Sequence, residues 1–180
     1  GGVSAKFDRP SWQVASGMPA GTKRCIPDVA AMADYGNSYY SNYTPYIYAG
    51  GQALGGAGTS LSSPIWAGLC ALVNQARAKV NLAAVGGSLN AKLYAAAGTG
   101  VFNDITSGSN GAYSAGPGYD LCTGLGSPNV NNLITYLTAT NVAPSISTQP
   151  ANLSVYSGQQ TQFFVAAFGY PFPSYQWQRL

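Results

Sequence analysis

Neither histidine nor glutamate occurs anywhere in this 180-residue chain. The first absence excludes a Ser-His-Asp triad built from these residues alone, and the second excludes any site that needs a glutamate base. The acids are all aspartate (Asp8, Asp28, Asp34, Asp104 and Asp120), and only 7% of residues are charged. The net charge of +3 therefore reflects scarce acids, and Lys23-Arg24 is the only basic doublet, which gives nucleic-acid binding little support. Cys25, Cys70 and Cys122 form an odd set without metal-ligand spacing. They read as mainly free, small and buried thiols, with one pairing among them as the alternative. No apolar run is long enough to span a membrane, and no signal peptide is recognisable. The chain begins at Gly1-Gly2 rather than methionine, from which a processed or excised piece is expected.

What is present is ample hydrophobic residue for a core, 46%, and 23 glycines that imply many tight turns. The chain turns on Gly55-Gly56-Ala57-Gly58-Thr59-Ser60-Leu61-Ser62-Ser63-Pro64, where glycine-rich loop gives way to helix. Ile65, Leu69, Leu72, Val73 and Ala76 fall at helical spacing, which predicts a helix over 64–77. Pro64 suits its first position and Ser62 or Ser63 its N-cap. The small residues Ala67, Gly68 and Ala71 predict close packing on neighbours, hence a buried helix. Ser60 then lies at the positive helix end, where unpaired N–H groups can stabilise an oxyanion. A nucleophile needs that environment, although an ordinary capping or loop serine fits the tripeptide Gly-Thr-Ser as well.

Before this segment, Pro27–Ala31 reads as a short buried strand, with Asp28 satisfying backbone donors or, alternatively, catalytic. Six of the thirteen tyrosines lie between residues 35 and 50, either lining a cleft or covering a hairpin ending at Gly50-Gly51. After it, Ser88–Gly98 reads as a short capped helix. A third helix is expected to start with Ser127 as cap and Pro128 in the first turn, striped by Val130, Leu133, Ile134 and Leu137. Between them, Asp104 and Asp120 stand on glycine-rich backbone with Ile105, Gly116 and Gly118. Spacing alone favours turn-capping aspartates, and a calcium loop of carboxylates and carbonyls is the alternative.

Five strings follow one another in a fixed order: Gly-Gly-x-Ser-x-x-Phe-x-Arg-Pro-x-Trp-Gln from Gly1, Arg-x-x-Pro-Asp-Val-x-Ala-x-Ala-Asp from Arg24, Gly-Thr-Ser-x-x-x-Pro from Gly58, Asp-Ile-Thr-x-Gly from Asp104, and Gly-x-Gly-Tyr-Asp-x-x-Thr-Gly-Leu-Gly-Ser-Pro from Gly116. Together they resemble the C-terminal half of a sedolisin, a serine-carboxyl peptidase, over roughly residues 1–138. The resemblance implies an α/β fold with a partial subtilisin-like parallel sheet and packed helices. It implies Ser60 as nucleophile, and one calcium ion held by Asp104 and Asp120 side chains with the carbonyls of Ile105, Gly116 and Gly118. The family's glutamate base, its orienting aspartate and its oxyanion-hole aspartate have no matching position here. They are expected in a missing N-terminal half of the catalytic domain.

Residues 141–180 shift in composition and resemble the first strands of an immunoglobulin-like domain, an incomplete all-β segment with Trp177 as its core tryptophan and Val165 where a cysteine often stands. The expected division is thus 1–140 for the peptidase part and 141–180 for linker and first strands. The expected parent is a secreted, extracellular endopeptidase active in acid on peptide or protein substrates. A carboxylate base and a protonated oxyanion aspartic acid both work best at low pH. The fragment alone is expected to be inactive. The competing expectation is a non-catalytic, calcium-stabilised module carrying an immunoglobulin-like adhesion domain.

Overall fold

Strand β1 (Gly2–Asp8) pairs antiparallel with β2 (Lys23–Ile26), and the loop between them folds inward instead of flapping free. Its anchor is Gln13, fully buried, whose amide brackets the Cys25 backbone: Nε2 donates to the Cys25 carbonyl (2.7 Å), and Oε1 accepts from the Cys25 N–H (3.0 Å). Arg9 closes the loop by donating to the carbonyls of Lys23 and Pro19. A buried amide with both ends satisfied costs little and fixes the register of what it touches. The computed structural model describes residues 1–33, 46–139, 142–150, 152–170 and 175–178. The expectations for Asp34, Tyr35, Tyr39, Tyr40 and Tyr43 lie outside the described residues. Two compact units result, Gly1–Thr138 and Ala139–Leu180.

Strands β3 (Tyr46–Ala49) and β4 (Gln52–Gly55) form the hairpin that the tyrosine-rich stretch suggests, turning at Gly50-Gly51. Helix α1 runs over Thr59–Lys79, five residues earlier than its apolar spacing predicts. The cause is Gly58. With φ of 84° it reverses the chain, and its carbonyl accepts from the N–H groups of Leu61 (2.9 Å) and Ser62 (3.4 Å), starting the ladder there. Pro64 consequently lies inside the helix, and neither Ser62 nor Ser63 caps it.

A 3₁₀ turn (Gly86–Ser88) leads into α2 (Leu89–Ala95). Strands β5 (Phe102–Asn103) and β6 (Ser127–Pro128) pair antiparallel and bring the two ends of the long 104–126 loop together. Helix α3 (Val130–Thr138) follows. Asn129, not Ser127, caps it, its Oδ1 accepting from the Asn132 N–H at 3.2 Å, because Ser127-Pro128 is committed to β6.

Helices α1 and α3 pack together, with Leu69 and Val73 of α1 and Leu133 and Leu137 of α3 all buried. Each such side chain contributes about 1.5–3 kcal/mol on burial. Leu93, Tyr94, Val101, Tyr119 and Leu125 are buried in the core as well. The expectation of an α1 buried all round is corrected. Ile65 and Leu72 are 43% and 55% exposed, and a Cβ added at Gly68 would meet open space. The helix carries more apolar surface than the described residues cover.

Every strand pairing among the described residues is antiparallel and two-stranded, so the expected partial parallel sheet is not formed among them. Pro27–Ala31, expected as a buried strand, is irregular and follows the regular strand β2. Its backbone groups are used elsewhere, as described below. In the second unit β7 (Val142–Thr148) pairs antiparallel with β8 (Ala166–Tyr170). Trp177, expected in a sandwich core, lies outside these strands at 60% exposure and against the Phe163 ring at 6.0 Å. The three cysteines are free.

Candidate active site

Ser60 is the second residue of α1 and is exposed. Its Oγ makes no hydrogen bond with a described residue, and the N–H groups of Thr59 and Ser60 donate to none. Pro64 has no N–H to offer the Ser60 carbonyl, so the first turn is held less by its own ladder than a regular helix would be. An available hydroxyl thus stands beside two unpaired donors at the positive end of a 21-residue helix. Such an arrangement can hold a developing oxyanion. It does not activate the hydroxyl, which needs a base to take its proton.

The first turns of α1 are held from outside. Gly58 N–H donates to the Ala33 carbonyl (2.6 Å), Ser62 Oγ to the carbonyls of Ala31 (3.2 Å) and Met32 (2.9 Å), and Trp66 Nε1 to that of Ala30 (3.1 Å). Nothing in the local pattern signals these contacts, since they join residues about thirty positions apart.

Asp28 is placed by one local partner, Arg24, and by long-range ones. Its carboxylate pairs with Arg24 (2.5 Å) and accepts from the Tyr94 hydroxyl (2.8 Å) and the Asn90 amide (3.3 Å), while its carbonyl accepts from the Leu125 N–H (2.9 Å). The Tyr94 hydroxyl in turn accepts from Gln13 Nε2 at 2.8 Å. Burial pushes the Tyr94 and Tyr119 phenols well above their ordinary range, so both stay neutral. Asp28 is thus tied up in a satisfied structural cluster.

The loop 104–126 gathers the other candidate residues. Asp104 Oδ2 accepts from the Gly118 N–H (2.8 Å), and Asp120 Oδ2 from the Gly116 N–H (3.0 Å), so two carboxylates clasp the same three-residue stretch. Asp120 Oδ1 also caps the turn after it, accepting from the N–H groups of Cys122 (2.8 Å) and Thr123 (2.6 Å). Gly118 has φ of +79°, and a Cβ there would lie 2.5 Å from the Ser16 carbonyl oxygen. Only glycine fits that approach. The N-terminal loop thereby pins the stretch, Tyr119 N–H donating to the same Ser16 oxygen at 2.7 Å.

The donor chemistry of this loop fits calcium. Asp104 Oδ1 and the carbonyl oxygens of Ile105, Gly116 and Gly118 accept no hydrogen bond from a described residue, which leaves hard oxygen donors available. A cluster of three or more His, Cys, Asp or Glu side chains is absent among the described residues, so any ion here would depend on carbonyls as well as on the two aspartates. A cleft of about 250 Å³, lined by Asp104, Gly118, Phe102, Tyr94 and Val14, opens beside it.

No family model matches the chain. Among individual proteins, it is 40% identical over 140 residues to kumamolisin from Bacillus sp. (strain MN-32), covering 71% of this chain and 23% of that one. It is 35% identical to sedolisin from Pseudomonas sp. (strain 101), covering 76% and 22%, and 32% identical to tripeptidyl-peptidase 1 from Homo sapiens, covering 74% and 26%. The chain therefore spans about a quarter of the length of the curated relatives it matches. Its fold is similar to a solved Pseudomonas sedolisin, a serine-carboxyl proteinase complexed with two molecules of pseudo-iodotyrostatin, with a TM-score of 0.61 at 35% identity over 76% of this chain and 36% of that one. Sequence and fold together support the sedolisin family, with an α/β peptidase fold, for the part of the chain that the similarities cover.

Proposed function

We propose that this chain is the nucleophile-bearing part of a serine-carboxyl endopeptidase, with Ser60 attacking the scissile carbonyl of a peptide or protein. The observation that carries the reading is the position of Ser60, exposed and unengaged on the first turn of α1 beside the unpaired N–H groups of Thr59 and Ser60. The oxyanion of the tetrahedral intermediate would lie against that positive end. The base is read as coming from elsewhere in the polypeptide: no histidine or glutamate exists in these residues, and the Asp28 and Asp120 carboxylates are engaged in structural bonds. A carboxylate in that role works in acid, where its pKa meets the medium. The enzyme is read as a secreted one of an acidic niche.

The open side of α1, with Ile65 and Leu72 exposed, supports a further portion of the catalytic domain packing there and bringing the missing carboxylates. The loop 104–126 is read as a calcium site, with Asp104 and Asp120 giving side-chain oxygens and Ile105, Gly116 and Gly118 giving carbonyls. A bound ion there would supply charge neutralisation that holds the loop closed, and no catalytic step passes through it. The tail, residues 141–180, is read as the start of an immunoglobulin-like domain.

The test compares the 180-residue chain with the longer protein containing it, on a peptide substrate at acid pH. The chain alone is expected to turn over at background rate. The longer protein is expected to be active, and to lose turnover in Ser60→Ala with its fold retained. Hydrolysis by the isolated chain that Ser60→Ala removes would show that the base lies within these residues after all.

A further inference from the structure

Four consecutive carbonyls, those of Ala30, Ala31, Met32 and Ala33, all receive donors from the first two turns of α1 or its cap. The donors are Trp66 Nε1, the Ser62 hydroxyl shared between two carbonyls, and Gly58 N–H. The same segment is fixed from its other side: Leu125 N–H donates to the Asp28 carbonyl at 2.9 Å, and Ala30 N–H to the Gly126 carbonyl at 3.0 Å. Residues 28–33 thus form a strap with the 104–126 loop on one side and the nucleophile's helix on the other. Ser60 lies midway between two of the clamping residues, Gly58 and Ser62.

We propose that Ser62 and Trp66 are positioning residues for Ser60, holding the first turns of α1 in one orientation against the strap. The inference rests on the peptidase reading of Ser60. Its physical basis is a deficit and its remedy. Pro64 removes one bond of the helical ladder, the one to the Ser60 carbonyl, so the turn bearing the nucleophile has one support fewer than a regular helix. A serine inside a helix commonly points its hydroxyl to solvent or back to the carbonyl four residues earlier. Ser62 instead sends it about thirty residues away, to Ala31 and Met32. Trp66, one turn on, uses its indole N–H in the same way. These are long-range contacts made by side chains within two turns of the candidate nucleophile, and they add restraint where the ladder lacks a bond. A nucleophile displaced by about 1 Å loses on the order of a hundredfold in rate.

The test uses two readouts. In the 180-residue chain, Ser62→Ala is expected to raise amide hydrogen exchange at Gly58 and the first turn of α1, while protection over Leu69–Lys79 stays as it was. In the longer protein, Ser62→Ala is expected to lower kcat about 10- to 100-fold with KM unchanged. Ser62→Thr, which keeps the hydroxyl, should restore most of the rate, and Trp66→Phe should fall between parent and Ser62→Ala. Equal loss in Ser62→Thr and Ser62→Ala, a rise in KM in place of a fall in kcat, or full activity in Ser62→Ala overturns the proposal. The control separates the two readings. Turnover surviving Ser60→Ala defeats the peptidase reading and the positioning role with it, whereas turnover lost in Ser60→Ala but intact in Ser62→Ala defeats the positioning role alone.

Discussion

Tyr94 donates its hydroxyl to Asp28 at 2.8 Å, across 66 positions of sequence, and so joins α2 to the segment that follows β2. The contact decides what Asp28 is for. A carboxylate shared among Arg24, Asn90 and a neutral phenol has both oxygens engaged in structural bonds.

Asp28→Ala should therefore act on stability. Removing one member of a largely buried ion pair, with side chains 18% and 19% exposed, is expected to cost about 3 kcal/mol. Tyr94→Phe should cost less, about 1–2 kcal/mol, since Arg24 and Asn90 remain on the carboxylate. Urea titrations of the two variants check the order, and a Tyr94→Phe loss equal to that of Asp28→Ala would show that the phenol, not the ion pair, dominates.

The buried tyrosines set an alkaline limit. Burial raises the phenol pKa values of Tyr94 and Tyr119 above their ordinary 10.0 in the folded state. Below that value both are protonated whether folded or not, and their contribution is fully present. Above it the unfolded chain releases protons that the folded chain keeps, so stability falls as pH rises. Denaturation measured between about pH 9 and about pH 11 should show this decline, and Tyr94→Phe or Tyr119→Phe should flatten it.

Calcium should separate the two loop aspartates. Asp120 caps the N–H groups of Gly116, Cys122 and Thr123, so Asp120→Ala should destabilise the chain in chelator as well as in calcium. Asp104 is exposed and meets one N–H, so Asp104→Ala should have its larger effect in calcium. An ion at a hundred times its Kd stabilises by about 2.7 kcal/mol. Thermal melts of the parent and both variants, each with calcium and with chelator, provide the comparison; no calcium-dependent shift in the parent would count against the site.

Gly124→Ala tests the junction between loop and strap. Gly124 has φ of +65°, and a Cβ there would lie 2.5 Å from the Asp28 carbonyl group. Strain of about 1–3 kcal/mol is expected from the backbone alone, with the clash added to it. The variant should melt well below the parent, while Gly68→Ala, in open space on a helix, should be neutral or stabilising by up to about 1 kcal/mol.

Local chemistry was legible in the residues. The helical spacing after Ser60, the tyrosine hairpin turning at Gly50-Gly51 and the short helix after Ser88 depend on neighbours within a few positions, and each is formed. The lack of histidine and glutamate bounded the chemistry without any fold. What sequence spacing left undecided was pairing at a distance. That Asn90 and Tyr94 meet Asp28 across 62 and 66 positions, and that Asp104 reaches Gly118 across 14, depends on loop closure, where propensity carries no information. The same holds for the start of α1. The residues alone suggested Pro64, but Gly58 began the helix once its N–H had found Ala33 and its carbonyl had found Leu61 and Ser62. Residue chemistry and short periodicity thus determined which groups the protein has to work with. Tertiary structure decided which of them are committed to one another and which, Ser60 among them, remain free.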